Sequence, residues 1–82
     1  MEDYSLEEFR EDIGTNREFD FKFNDKMYSL TYSKEGFIFT DVNKELYQVY
    51  QTYYDLLKDV RIGGYSIEEI IANNMYKDLY IY

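Results

Sequence analysis

The alternation of aromatic and polar residues between positions 17 and 41 predicts a three-stranded antiparallel sheet. Apolar and polar side chains alternate strictly over residues 18–23, which is typical of a strand with one buried face. Residues 24–25 form a two-residue turn, and residues 33–36 form a second reversal. Both turns place the same side chains on one face of the sheet, so they agree on one register. These side chains are Phe19, Phe21, Phe23, Tyr28, Leu30, Tyr32, Phe37 and Phe39.

The lengths of the turns also predict the strand register and the character of the second face. Phe21 is expected opposite Tyr28, and Leu30 is expected between Phe19 on one side and Phe39 on the other. The intervening positions are mostly polar, so this outer face is expected to meet water while helices cover the aromatic face. The outer positions are Glu18, Asp20, Lys22, Ser29, Thr31 and Thr40, with Met27 and Ile38 as apolar exceptions.

A short helix is predicted before the sheet, over residues 6–13. Ser5 and Glu8 have the spacing of a capping box, in which each residue satisfies a backbone N–H near the other. Gly14 follows at the position of a helix stop. One stripe of the helix is apolar and is expected to face the core, and it consists of Leu6, Phe9 and Ile13.

The apolar spacing over residues 42–60 leaves two interpretations open. The residues fit one long amphipathic helix. They also fit a fourth strand near residues 45–50, followed by a helix that begins at Thr52. The second interpretation is favoured because Thr52 and Asp55 are spaced as a capping box. A continuous helix would place Thr52 and several neighbouring tyrosines in its interior, where they are mediocre helix formers.

The last twenty residues predict a turn, a helix and a terminal strand. Residues 62–65 contain two glycines, and Ser66 and Glu69 form a third capping-box pattern that opens a helix over residues 67–73. Residues 78–82 are rich in strand formers. The chain is therefore expected to be a single α+β domain over residues 1–82. Its predicted core is an antiparallel three-stranded meander that gains a fourth and fifth strand if the weaker segments pair, with short helices packed on one face.

The composition restricts the chemistry that the chain can perform. Its 82 residues include no His and no Cys, the side chains that carry much acid–base, nucleophilic and transition-metal chemistry near neutral pH. The sequence also lacks a glycine-rich phosphate loop and the acidic loop of a calcium site. We therefore expect a non-enzymatic protein with no catalytic residue, no cofactor and no metal site.

The net charge limits the kinds of partner that the chain can bind. Seventeen acidic and nine basic residues give a formal net charge of −8. This charge argues against direct binding to nucleic acid or to anionic membranes, because both require cationic patches, and it suits a basic protein partner. No apolar run approaches the roughly 20 residues of a membrane helix, and the acidic N-terminal residues do not resemble a signal peptide. These features predict a cytoplasmic protein.

The chain resembles a group of short bacterial and phage-encoded proteins that have no assigned activity. Three segments carry the resemblance: REFDFKFNDKMYSL at residues 17–30, YYDLLKDVRIGGYSIEEI at residues 53–70, and DLYIY at residues 78–82. Proteins of this group combine a capped N-terminal helix, an aromatic β-hairpin and a closing helix pair. The resemblance implies the α+β architecture and adds no catalytic residue.

Acidic residues are concentrated near the N-terminus. Residues 2–12 hold six carboxylates and one arginine. Four of the carboxylates lie over about 7.5 Å of the predicted helix, a density close to the one charge per ~1.7 Å of duplex DNA. Two interpretations remain open, nucleic-acid mimicry and a solvated helix face, of which the solvated face is the more common. The helix dipole accounts for Glu7 and Glu8 in the first turn, but not for Glu11 and Asp12 near the C-terminus of the helix. The candidate partner-binding residues are Glu7, Glu8, Glu11 and Asp12, with Glu18 and Asp20 as an extension.

Two functional hypotheses follow from these features. The first is a small acidic protein-binding module that inhibits a nucleic-acid-handling protein, in the manner of phage anti-defence or anti-CRISPR-like proteins. The second is a self-associating structural or accessory protein, in which the terminal strand or an exposed edge of the meander pairs with another copy. The second hypothesis would also bury part of the surplus of tyrosines, since the chain has 11 and its core is small.

Overall fold

Five antiparallel strands form one sheet in the computed structural model, which describes residues 4–82. The spatial order of the strands is β4-β3-β2-β1-β5. In chain order the elements are α1 (Leu6–Gly14), β1 (Phe19–Phe23), β2 (Lys26–Ser33), β3 (Gly36–Asp41), β4 (Leu46–Tyr50), α2 (Tyr53–Asp59), α3 (Ile67–Ala72) and β5 (Lys77–Ile81). The predicted α+β class and the antiparallel meander are confirmed.

The predicted register of the meander is also confirmed. Phe21 pairs with Tyr28, and Leu30 lies between Phe19 on β1 and Phe39 on β3. The turn between β1 and β2 is the two-residue loop at positions 24–25, where both residues adopt positive φ angles of 52° and 61°. Positive φ at both central residues gives the turn the twist that two antiparallel strands require.

Local capping interactions start all three helices where the sequence predicts them. Ser5 and Ser66 form complete capping boxes with Glu8 and Glu69. Thr52 caps α2, because its hydroxyl oxygen accepts a hydrogen bond from the N–H of Asp55 at 3.1 Å. A capping hydroxyl typically stabilises a helix by about 1 kcal/mol, so these residues set the boundaries of helices that are too short to form alone.

The end of α1 differs from its prediction. Gly14 is the last residue of the helix, and the residue that follows, Thr15, still donates its N–H to the carbonyl oxygens of Glu11 and Asp12. The left-handed conformation occurs at Asn16, with a φ of 65°. Asn is one of the few non-glycine residues that tolerate this conformation, so the chain reverses there and not at the glycine.

Both segments that the sequence left uncertain are strands. Residues 46–50 form β4 along the edge of β3, and α2 begins after the Thr52 cap, so the strand-then-helix interpretation is confirmed. The terminal strand β5 pairs with β1, but its register shifts between Asp20 and Lys22. Asp78, inside this irregularity, adopts a φ of 50°.

The core lies between the aromatic face of the sheet and the three helices. The ring of Phe9 on α1 lies 5.1 Å from the ring of Phe19 on β1, and the rings of Tyr28 and Phe39 stack at 5.8 Å. Each buried aromatic side chain removes roughly 150–250 Å² from water, which gives a small domain most of its hydrophobic stabilisation. The buried residues are Phe9, Ile13, Phe19, Phe21, Phe23, Tyr28, Leu30, Leu56, Leu57, Val60, Ile62, Ile67, Ile70 and Ile71.

Candidate functional site

The solvent-facing side of α1 carries Glu7, Glu8, Glu11 and Asp12, here called the α1 acidic face. Glu7 and Glu11 are exposed one helical turn apart. Neither carboxylate makes a hydrogen bond or an ion pair with another residue in the range 4–82. Glu8 is exposed as well, and its carboxylate also belongs to the capping box of the helix. Three carboxylates of this face are therefore accessible to a partner.

Asp12 has an internal role that the sequence did not predict. Its carboxylate accepts a hydrogen bond from the hydroxyl of Tyr4 and forms an ion pair with Arg17 at 3.7 Å. Burial of Tyr4, together with the hydrogen bond to Asp12, raises the pKa of the Tyr4 phenol. Through this hydrogen bond Asp12 holds Tyr4 against the end of α1.

The only cation within α1 points away from its acidic face. The Nε atom of Arg10 lies 2.9 Å from Oε2 of Glu68 on α3. This ion pair joins two helices that pack on the core side of the sheet. Since the guanidinium is paired with Glu68, it forms no ion pair with Glu7, Glu8 or Glu11.

The structure separates Glu18 and Asp20 from the α1 acidic face. Phe19 lies between them and points into the core against Phe9 of α1, so its two neighbours face the opposite, outer side of the sheet. Glu18 accepts a hydrogen bond from the N–H of Tyr32 at 3.1 Å. The six candidate carboxylates therefore form two groups on different layers of the fold.

Asp20 is held in place by two hydroxyl groups on the outer side of the sheet. Its carboxylate accepts hydrogen bonds from Ser29 at 2.5 Å and from Tyr82 at 3.0 Å. The hydrogen bond to Asp20 is also the main cause that raises the pKa of Tyr82. These contacts tie β5 and β2 to β1, so Asp20 stabilises the sheet and has less freedom to bind a partner.

A second candidate surface is the free edge of β4, here called the β4 edge. Leu46 is 62% exposed, Tyr47 is 68% exposed and Val49 is 41% exposed. These large apolar side chains are neighbours on a strand that pairs with β3 on one side only. The sequence predicted the strand, and Tyr47 and Val49 lie beside Thr40 and Ile38 on the outer face of the sheet, opposite the helices. The sequence did not predict that Leu46, on the helix side, would be left uncovered.

A groove of about 670 Å³ between the helices gathers three basic residues, Arg10, Lys58 and Arg61, beside the stacked rings of Tyr53 and Tyr54. Arg61 donates hydrogen bonds to the carbonyl oxygen of Val60 at 2.8 Å and of Leu57 at 3.4 Å. Arg10 is paired with Glu68. Two of the three cations therefore have structural partners, and their main role is to join the helices and satisfy the end of α2.

The described residues were also compared with the requirements of metal sites and membrane spans. Within residues 4–82, no cluster of three or more His, Cys, Asp or Glu side chains has an arrangement that could hold a metal ion. In the same part of the chain, no helix has the length and apolar character that crossing a membrane requires.

Comparison with protein-family models, with curated proteins and with solved structures gave no match. The resemblance to short bacterial and phage-encoded proteins therefore stays a prediction. The α1 acidic face and the β4 edge are the two candidate binding surfaces of the chain.

Proposed function

We propose that this chain is a small non-enzymatic module that binds and inhibits a basic, nucleic-acid-handling protein. The observation that carries the proposal is the α1 acidic face, where Glu7 and Glu11 are exposed one turn apart and their carboxylates have no partner within residues 4–82. A groove that binds nucleic acid presents Lys and Arg to phosphates. Carboxylates at a comparable spacing compete for the same cations, so the module acts as a nucleic-acid mimic.

Internal hydrogen bonds reduce the number of candidate carboxylates that would touch the partner. Asp12, Glu18 and Asp20 accept hydrogen bonds from Tyr4, Tyr32 and Tyr82. Glu7, Glu8 and Glu11 are therefore the proposed contact residues, while the other three carboxylates of the candidate set support the fold. The net charge of −8 adds a long-range attraction to a basic partner, and this attraction weakens as salt screens it.

A displacement experiment tests the proposal. Labelled duplex DNA or RNA is bound to each member of a panel of purified nucleases and transcription proteins, and fluorescence anisotropy reports its release as the chain is added. We expect the chain to displace the duplex from at least one of these proteins at about 50 mM salt, and less effectively at about 200 mM salt. A panel in which no duplex is displaced at low salt contradicts the proposal.

A matched pair of variants locates the binding surface. Glu7→Gln with Glu11→Gln removes two charges from the α1 acidic face, and Asp25→Asn with Glu35→Gln removes two charges from the exposed hairpin turns. Both variants change the net charge from −8 to −6. The helix variant is expected to displace the duplex about fivefold more weakly, and the turn variant to stay within about twofold of the parent. Equal effects of the two variants would mean that net charge alone, and not α1, determines binding.

A further inference from the structure

The backbone hydrogen bonds of the sheet show which groups of β4 are free. The N–H of Val42 donates to the carbonyl oxygen of Met27 at 3.2 Å, so the even-numbered positions at the end of β3 bond to β2. Because the hydrogen-bonding direction alternates along an antiparallel strand, the odd-numbered positions of β3 bond to β4. Gln48 is the partner of one of these odd positions. Its neighbours Tyr47 and Val49 therefore direct their N–H and C=O groups away from the sheet.

The free side of β4 is complementary to a second copy of itself. In an antiparallel arrangement with a two-fold axis at Gln48, Tyr47 of one copy faces Val49 of the other, and Leu46 faces Tyr50. The Tyr47–Val49 pairs are then the hydrogen-bonded pairs, so every outward N–H and C=O group of these residues finds a partner. Pairs of an aromatic and a β-branched side chain are among those that stabilise neighbouring strands.

The charge pattern also permits this pairing. Residues 46–50 contain no charged side chain, although the chain as a whole carries a net charge of −8. In the same register Glu45 faces Gln51, and Lys44 faces Thr52, so like charges do not oppose each other across the axis. Sheet edges are commonly blocked by charged residues or bulges, and β4 pairs with β3 in continuous register.

We infer that two copies of this chain associate through the β4 edge in this register, which joins their five-stranded sheets into one ten-stranded sheet. The pairing covers Leu46, Tyr47 and Val49, the exposed apolar side chains of the strand. A contact between two five-residue strands is small, below about 1,200 Å² of buried surface, so the dimer is reversible and forms at micromolar to millimolar concentrations. The α1 acidic face takes no part in it, and the inference is independent of the proposed function.

Sedimentation velocity of the full chain tests whether the dimer exists and which edge forms it. Between about 1 µM and about 1 mM, the average mass is expected to rise from 10.1 kDa toward twice that value. Tyr47→Lys places a charge on the β4 edge and is expected to keep the mass at that of one chain. Tyr80→Lys makes the same exchange on β5, the opposite edge of the sheet, and is expected to behave as the parent.

Disulfide crosslinking tests the register. The chain has no cysteine, so a single introduced cysteine can crosslink only to another copy. Gln48→Cys places two sulfurs at the two-fold axis, where the Cα atoms of a pair without hydrogen bonds lie about 4.5 Å apart, close enough for a disulfide. Leu46→Cys is the control, because equivalent residues lie about 14 Å apart in this register. We expect Gln48→Cys to oxidise rapidly to a dimer and Leu46→Cys to remain a single chain.

Three results would overturn the inference. The first is a mass of one chain at every concentration, which would leave the β4 edge for a different protein or for solvent. The second is a dimer that survives Tyr47→Lys but not Tyr80→Lys, which would place the contact on β5. The third is equally fast crosslinking of Gln48→Cys and Leu46→Cys. Glu7→Gln with Glu11→Gln is expected to dimerise as the parent does, so failure of the pairing and failure of the proposed function are distinguishable.

Discussion

The two edges of the sheet are built in different ways. β5 pairs with β1 through an irregular register, and Asp78 at the irregularity forms an ion pair with Lys22 at 3.5 Å. Tyr82 holds the end of β5 further. Its N–H donates to the carbonyl oxygen of Glu18, and its hydroxyl donates to the carboxylate of Asp20. β4 pairs with β3 in five consecutive pairs, without an irregularity and without a charged residue in the strand.

This contrast suggests different roles for the edges. An irregular, charged edge is a poor template for another strand, because an incoming chain cannot match its hydrogen bonds. A regular, neutral and apolar edge is a good template for another strand. β5 therefore closes the sheet on one side, whereas β4 leaves it open to extension.

The largest effect is expected where the β2–β3 turn contacts β4. Gly36 adopts a φ of 129°, and a Cβ atom at this position would lie 2.2 Å from the carbonyl oxygen of Tyr50. Gly36→Ala therefore combines backbone strain with a clash against the backbone of β4, and the end of β4 must move away. We expect a loss of about 3 kcal/mol in the free energy of unfolding, measured by urea denaturation.

Gly64→Ala measures the stability cost of backbone strain without a steric clash. Gly64 also has a positive φ, of 88°, but no atom lies within 4 Å of a Cβ placed there. Its substitution is expected to cost about 1 kcal/mol, from backbone strain alone. Equal losses for the two variants would show that the contact between Gly36 and β4 has no influence on stability.

A smaller effect is expected from truncating one leucine on each edge. Leu79 of β5 is half-buried and packs against the core, whereas Leu46 of β4 is exposed. In dilute solution, Leu79→Ala is expected to lose about 1–2 kcal/mol of stability, and Leu46→Ala to stay within about 0.5 kcal/mol of the parent. Thermal unfolding followed by circular dichroism measures both, and a larger loss for Leu46→Ala would reverse the assignment of the two edges.

The meander could be predicted from the sequence because its determinants are local. The two turns have fixed lengths, and each independently places the same aromatic residues on one face. The helix starts were predictable for the same reason, since a capping residue and its partner are three positions apart. The end of α1 was not, because Asn16 and Gly14 both suit a helix stop, and the left-handed conformation occurs at Asn16.

Other features are less local. The apolar spacing of residues 42–60 fits both a helix and a strand, so β4 was predictable only through the Thr52 cap of the helix that follows it. The internal role of Asp20 depends on Tyr82, which is 62 positions away. The position of the acidic residues on α1 was predictable from helical periodicity. The exposure of Leu46 was not, because it depends on where the helices stop covering the sheet. Tyr47 and Val49 lie on the outer face, which the helices do not cover.

Hydrogen exchange resolved to single amides, at about 10 µM and about 1 mM of the full chain, tests the account most directly. In both edge strands some amides point away from the sheet: those of Tyr47 and Val49 on β4, and that of Ile81 on β5, because its neighbour Tyr82 bonds to β1. We predict that amide exchange at Tyr47 and Val49 is slower at the higher protein concentration, while amide exchange at Ile81 is the same at both concentrations. Slowing at Ile81 without slowing at Val49 would contradict the account.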